Sequence, residues 1–269
     1  MSGVERIAEA FAGARASGRR AALMPYLMGG YPDLETSRQI GHAYAQAGAD
    51  VIELGVPFSD PLADGPVIHA AATGALRAGA SMGGVLDVAG EIAQEVPVVL
   101  MCYANPIVVR GLERFVDLLV SSGVSGLIVP DLPLEEAGDV RAVCRERDLA
   151  FVPLVAPTTP VQRLERIGAG ASGFLYTVSL TGTTGERARV DGRLETVIRR
   201  AAAHTAVPVA VGFGISTPEQ AVAAAAAGAD GVIIGSRLVR EAGEADDPVE
   251  AVSRLVRGFS VALSEAALS

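Results

Sequence analysis

Four short stretches of this chain share one design: Ala47-Gly-Ala-Asp50-Val-Ile52, Ser122-Gly-Val-Ser125-Gly-Leu-Ile128, Ala169-Gly-Ala-Ser172-Gly-Phe174 and Ala227-Gly-Ala-Asp230-Gly-Val-Ile233. In each, a helix ends on a glycine able to take φ > 0, and an apolar strand begins at once. They precede the second, fourth, sixth and eighth of eight short strands read at 23–28, 51–54, 98–102, 126–129, 151–155, 174–178, 207–211 and 232–234. Strands that are apolar throughout and alternate with helices build a parallel sheet covered on both faces. A two-strand module used four times closes naturally into a (β/α)8 TIM barrel, an α/β fold of about 250 residues. No linker or composition break divides the chain, so residues 1–269 read as a single domain.

The intervening helices are expected to run from Asp33, as N-cap, to Ala47, and over 68–77, 85–94, 112–121, 135–147, 193–203, 218–227 and 248–268. Another opens at Thr159-Pro160 with proline in its first turn, and Thr217 starts the alanine-rich helix.

A formal charge of −9, with no basic stripe, argues against nucleic acid or an anionic membrane as partner. No segment approaches the roughly 20 apolar residues of a bilayer span. Arg19-Arg20 hints at a twin-arginine leader, but Pro25 breaks the apolar stretch and no small-residue cleavage site follows; the segment reads as the first strand. Two cysteines, Cys102 and Cys144, make no disulfide framework, so a reducing cytoplasm is the default. The chain contains no lysine at all. That excludes Schiff-base catalysis, a pyridoxal-phosphate anchor in this chain and a Walker-type phosphate loop. No metal is expected either: His42 and His204 read as helical, His69 lies on a separate helix, and neither cysteine sits in a ligand-spaced pair.

Barrel enzymes react at the C-terminal ends of their strands. Glu53 ends the second strand, where a carboxylate needs something to satisfy it, and Asp64 follows in the next loop. The pair fits acid–base chemistry at neutral pH; an Asx-rich turn with one inward salt bridge is the plainer alternative. Tyr103, Asp131 and Tyr176 reach the same rim. Asp131, between Pro130 and Pro133, reads as a turn former, and the tyrosines as wall residues. Three glycine-rich turns, Thr181-Gly-Thr-Thr-Gly185, Gly212-Phe-Gly-Ile-Ser216 and Gly235-Ser236, follow strands six, seven and eight. Barrels commonly bind a phosphate there, on backbone N–H groups and the N-terminus of a short extra helix. Residues 180–189 also read as a lid over substrate, or as an ordinary solvated loop.

The run from Glu53 through Leu-Gly-Val-Pro-Phe-Ser-Asp-Pro-Leu-Ala-Asp-Gly to Pro66 resembles the signature of the tryptophan synthase alpha subunit family. The resemblance continues through Tyr103-Ala-Asn-Pro106, Leu127-Ile-Val-Pro-Asp-Leu-Pro-Leu134, Tyr176, Thr184-Gly185, Gly212-Phe-Gly-Ile215 and Gly235-Ser236, nearly the whole chain in order. It implies cleavage of indole-3-glycerol phosphate to indole and glyceraldehyde 3-phosphate without a cofactor. It also implies an αββα complex with a pyridoxal-phosphate beta subunit that consumes the indole. By resemblance, Glu53 is the general acid–base and Asp64 the carboxylate engaging the indole N–H. Tyr26, Tyr103 and Tyr176 surround the indole, Gly185, Gly214, Gly235 and Ser236 surround the phosphate, and Phe213 and Ile233 also bind substrate. Thr184 meets Asp64 on lid closure, and Pro57, Asp60, Asn105 and Pro106 face the partner. Tyr26, Met28, Val108 and Val109 depart from residues common in the family. Three readings follow: a lyase, working with its partner or alone; a catalytically weak allosteric partner subunit; or another phosphate-handling barrel such as a pentose-phosphate epimerase. The last expects metal-binding histidines that this sequence does not offer.

Overall fold

The computed structural model describes residues 1–178, 192–212 and 214–266. Among these the strands are β1 (Ala22–Met28), β2 (Ile52–Gly55), β3 (Val98–Met101), β4 (Gly126–Ile128), β5 (Ala150–Phe151), β6 (Leu154–Val155), β7 (Leu175–Val178), β8 (Val209–Gly212) and β9 (Gly231–Ile234). The helices are α1 (Gly3–Ala16), α2 (Leu34–Gln46), α3 (Pro66–Arg77), α4 (Met82–Ile92), α5 (Ala104–Arg110), α6 (Leu112–Ser121), α7 (Gly138–Glu146), α8 (Val161–Ala169), α9 (Gly192–Ala202), α10 (Pro218–Ala226), α11 (Ser236–Glu244) and α12 (Pro248–Glu265).

All strand pairs are parallel, in the order β5-β4-β3-β2-β1-β9-β8-β7-β6. The ends of that order, β5 and β6, are two halves of the expected fifth strand at 151–155. Pro153 lies between them and has no N–H for the ladder, so the strand is interrupted there. Val152 still donates to Leu127 O at 2.9 Å on one side, and Tyr176 donates to Pro153 O at 3.0 Å on the other. The sheet therefore closes on itself, and the structure is an eight-stranded TIM barrel.

Side-chain alternation sorts the core into an inside and an outside. Leu23, Leu27, Ile52, Leu54, Val98, Leu100, Val209 and Val211 point outward and pack under the helices. Met24, Val51, Val99, Ile128, Val152, Phe174, Ala210 and Ile233 fill the barrel. The lower mouth is sealed by α1, a helix that the strand–helix alternation does not predict. Its Ile7, Phe11 and Ala14 are buried in the same interior cluster, with the Phe11 ring 5.9 Å from that of Phe174. A capping box between Ser2 and Glu5 starts α1.

In three of the four repeats the fourth residue makes the same bond. Asp50 accepts the Leu23 N–H at 2.7 Å, Ser172 the Phe151 N–H at 2.8 Å, and Asp230 the Val209 N–H at 2.9 Å. Each thus ties the start of one strand to the strand before it. Asp50 also pairs with Arg19, and both side chains are largely buried. Ser125 differs: its hydroxyl is buried without a hydrogen-bond partner, and its backbone carries the start of α1 close to Gly3. The expected left-handed glycine is present at Gly48, Gly123 and Gly228 but not at Gly170, where φ is −109°. There the missing side chain leaves room for the Arg141 guanidinium, and the positive φ moves on to Gly173.

Asp33 and Thr217 cap α2 and α10 as expected. Pro160 is the N-cap of α8 and precedes its first turn, and His204 lies two residues beyond α9. The short helices α5 and α11 do not stand out as separate elements in the sequence pattern. No helix among the described residues is long and apolar enough to cross a membrane.

Candidate active site

Glu53 is the middle inward position of β2, between Val51 and Gly55, while Ile52 and Leu54 take the outer face. It lies beside Tyr26 of β1 and Val99 of β3 in the ladder. The side chain is 1 % exposed, and neither carboxylate oxygen has a hydrogen-bond partner. Among the described residues no inward salt bridge satisfies it. Burial raises its pKa to about 8, with the charge of Asp64 adding to the effect. A buried carboxylic acid without partners is costly unless it stays protonated or meets a ligand.

Asp64 reaches the same space from the loop between β2 and α3. That loop folds over Tyr103: the Ala63 N–H donates to the Tyr103 hydroxyl at 3.0 Å, and Phe58 stacks on its ring at 5.2 Å. Asp64 is half-buried, and desolvation lifts its pKa to about 6 against the lowering influence of the Tyr103 hydroxyl and of His69. The two acids are thus pushed to different values by different degrees of burial.

Tyr26 on β1 and Tyr176 on β7 are separated in the sheet by β9 and β8. Both hydroxyls are held well above the ordinary phenol range, by burial first and then by Asp64 and Glu53 for Tyr26, and by Glu53, Tyr26 and Asp64 for Tyr176. Tyr26 and Tyr176 each feel the charges of Glu53 and Asp64, and Tyr103 feels that of Asp64, so these groups neighbour one another. Two strand glycines leave room for the tyrosine hydroxyls. A Cβ on Gly55 would lie 2.0 Å from the Tyr26 hydroxyl, and one on Gly212 would lie 2.3 Å from that of Tyr176. Gly212 was read in the sequence only as part of a phosphate-binding turn and Gly55 only as a strand stop, although a glycine inside an apolar strand is the usual mark of a close approach. We expect Gly55→Ala to displace the Tyr26 ring, cost about 1–3 kcal/mol in denaturant unfolding and lower turnover more than the same change at exposed Gly13.

Ile233 of β9 is buried in the interior cluster that also holds Tyr176, next to Gly212 in the ladder. Gly214 and Gly235 follow the adjacent strands β8 and β9; Gly214 has φ +78° with open space where a Cβ would sit. Gly235 is the N-cap of α11, and Ser236 is its first residue, so free N–H groups of that helix begin here. Thr184, Gly185, Phe213 and the expected lid at 180–189 lie outside the described residues.

Asp131 lies in a turn closed by the Leu132 N–H on Val129 O at 3.3 Å, and its Oδ1 reaches across to accept the Ala104 N–H at 2.9 Å, at the start of α5. Asp60 and Asn105 are exposed, Pro106 is partly so, and Pro57 is buried. Exposed Leu62, Val108 and Val109 lie on the same loop and helix as these residues. His42 pairs with Glu91 and Glu95, and Cys102 and Cys144 are free and buried. Among the described residues, no three His, Cys, Asp or Glu side chains gather as a metal site would require.

A closed parallel barrel with acidic groups gathered at the C-terminal mouth defines a TIM-barrel enzyme. The family model for the tryptophan synthase alpha chain matches residues 11–266. The tryptophan synthase alpha chain of Prochlorococcus marinus (strain MIT 9313) is 50% identical over 225 residues, covering 82% of this chain and 81% of that one. That of Synechococcus elongatus (strain ATCC 33912 / PCC 7942 / FACHB-805) is 46% identical over 259 residues, covering 96% of each. Among solved structures, Mycobacterium tuberculosis tryptophan synthase superposes with a TM-score of 0.89 at 36% identity, covering 96% of this chain and 98% of that one. A chain of the tryptophan synthase a2b2 complex of Pyrococcus furiosus gives 0.84 at 38% identity, covering 88% and 97%. This chain belongs to the tryptophan synthase alpha chain family, and its role is that of a lyase in tryptophan biosynthesis.

Proposed function

We propose that the chain catalyses retro-aldol cleavage of indole-3-glycerol phosphate to indole and glyceraldehyde 3-phosphate, with Glu53 as general acid–base and Asp64 as electrostatic partner. The observation that carries this reading is the buried, unpartnered Glu53 carboxyl beside a more exposed Asp64. Between pH values of about 6 and about 8 the favoured state has Glu53 protonated and Asp64 ionised. Protonated Glu53 delivers its proton to indole C3, and Asp64 stabilises the positive charge that develops on the ring nitrogen. The resulting Glu53 carboxylate then takes the proton of the hydroxyl on the carbon attached to C3. The bond between that carbon and C3 breaks, its electrons return to the ring nitrogen, and the aldehyde forms. One proton leaves Glu53 and one comes back. No Schiff base takes part, in keeping with a chain that has no lysine.

In this reading Tyr26, Tyr103, Tyr176 and Ile233 hold the indole. Gly214, Gly235 and Ser236 bind the phosphate together with Gly185 and Phe213, and Thr184 meets Asp64 when the lid closes. The α11 N-terminus favours an anion at that place. The chain acts as one domain, in the cytoplasm and without a cofactor of its own. Its partner is a pyridoxal-phosphate beta subunit in an αββα complex, docked on the face of Asp60, Asn105 and Pro106, with Pro57 supporting that loop from beneath. Exposed Leu62, Val108 and Val109 give this face apolar surface to bury. The test is product analysis: purified chain given indole-3-glycerol phosphate should release indole and triose phosphate in equal amounts, faster when a beta subunit is added. Absence of both products with and without the partner refutes the assignment.

A further inference from the structure

The turn after β8 is held by a side chain of the helix that follows it. Gly214 lies in that turn with φ +78° and is exposed, while Ile215 is buried in the outer core. Among the described residues, neither the Gly214 nor the Ile215 N–H has a hydrogen-bond partner. The next two N–H groups are taken. Gln220 Oε1 accepts the Ser216 N–H at 2.7 Å and the Thr217 N–H at 3.2 Å, and the Ser216 hydroxyl donates to the same oxygen at 3.0 Å. Thr217 Oγ1 in turn accepts the Gln220 N–H at 3.4 Å. Gln220 is buried, so water competes little for these bonds.

A capping box at the start of α10 requires only the exchange between Thr217 and Gln220. The two bonds to Ser216 reach one residue further back, to the neighbour of Ile215. We propose that Gln220 is a positioning residue for the substrate phosphate, holding the turn in a shape that leaves the Gly214 and Ile215 N–H groups for the anion. This rests on the phosphate role given to Gly214 above. A glycine at positive φ has no side chain to restrain it, and ordering it on binding would cost affinity. A turn already fixed by Gln220 avoids that cost. The neutral amide also suits its place. Glutamate closes a capping box equally, but it would add a negative charge near a phosphate.

The experiment compares Gln220→Met, Gln220→Glu and Thr217→Ala with the unmodified chain. It uses calorimetric titration with glycerol 3-phosphate, steady-state kinetics of indole formation and thermal unfolding. Methionine, which offers no comparable acceptor, should weaken glycerol 3-phosphate binding about tenfold. It should raise KM for indole-3-glycerol phosphate by a similar factor, with kcat changed far less. Glutamate, which keeps an acceptor oxygen in place, should recover affinity to within about threefold of the original, the remaining loss shrinking in high salt. Thr217→Ala weakens the α10 cap from its other side; it should lower the melting temperature while affinity stays within about twofold. Unchanged affinity in Gln220→Met, no recovery in Gln220→Glu, or equal losses in Gln220→Met and Thr217→Ala overturns the proposal and leaves Gln220 a helix cap alone. Failure of the unmodified chain to bind glycerol 3-phosphate contradicts the phosphate reading itself.

Discussion

Replacing Glu53 by glutamine should lower indole formation about 10³-fold, since positioned proton transfer contributes on the order of 10²–10⁴ and here one group makes both transfers. Affinity for glycerol 3-phosphate, which carries only the phosphorylated tail, should change less than about twofold, because no contact of that tail changes. The same variant should be more stable than the unmodified chain at alkaline pH. Folding raises the Glu53 pKa from an ordinary 4.5 to about 8. The folded state therefore binds more protons than the unfolded one across that window, and stability falls as pH rises through it. Below the ordinary value both chains hold a neutral side chain and should match. Above about pH 8 the glutamine variant should lead by several kcal/mol, since a tenfold difference in proton affinity between the two states is worth about 1.4 kcal/mol. Thermal unfolding at pH 4.5 and pH 8.5 reads the difference directly. Equal stability at both pH values would mean that Glu53 is not the strained acid described above.

Asp64→Asn keeps the shape of the side chain and removes its charge. Loss of a preorganised charge facing the developing cation should cost about 10²–10³-fold in kcat. A second effect separates this variant from a simple loss of fit. Burial is the larger cause of the raised Glu53 value and the Asp64 charge the smaller. The basic limb of the pH–rate profile should therefore move to lower pH in Asp64→Asn, yet remain above the ordinary carboxyl range. The acid limb, which belongs to Asp64 with its value of about 6, should disappear. A profile with both limbs in their original places would assign them to other groups.

The barrel was legible because its determinants are local. A helix stop followed by a strand start repeats four times, and the fourth residue of three repeats makes the same side-chain-to-backbone bond to the preceding strand. Glu53 was legible for a similar reason: a carboxylate inside an apolar strand has few structural uses. Asp131 was legible as a turn former from its flanking prolines, while its bond to the first N–H of α5, 27 residues away in the chain, was not. What escaped the sequence depends on distant partners. Gly55 and Gly212 matter only because Tyr26 and Tyr176 lean across the neighbouring strand, a fact set by register and inward parity. The sealing role of α1 depends on which end of the barrel it meets, and its amphipathic pattern alone does not say. The split of the fifth strand was written in Pro153, yet a run of apolar residues concealed it.

The most direct test is a carbon-13 NMR titration of the Glu53 carboxyl in the intact chain, its signal assigned by its loss in Glu53→Gln. The account predicts a midpoint near 8, falling in Asp64→Asn. A midpoint in the ordinary carboxylate range near 4.5 would mean that Glu53 is already ionised at neutral pH and holds no proton to give to the indole ring.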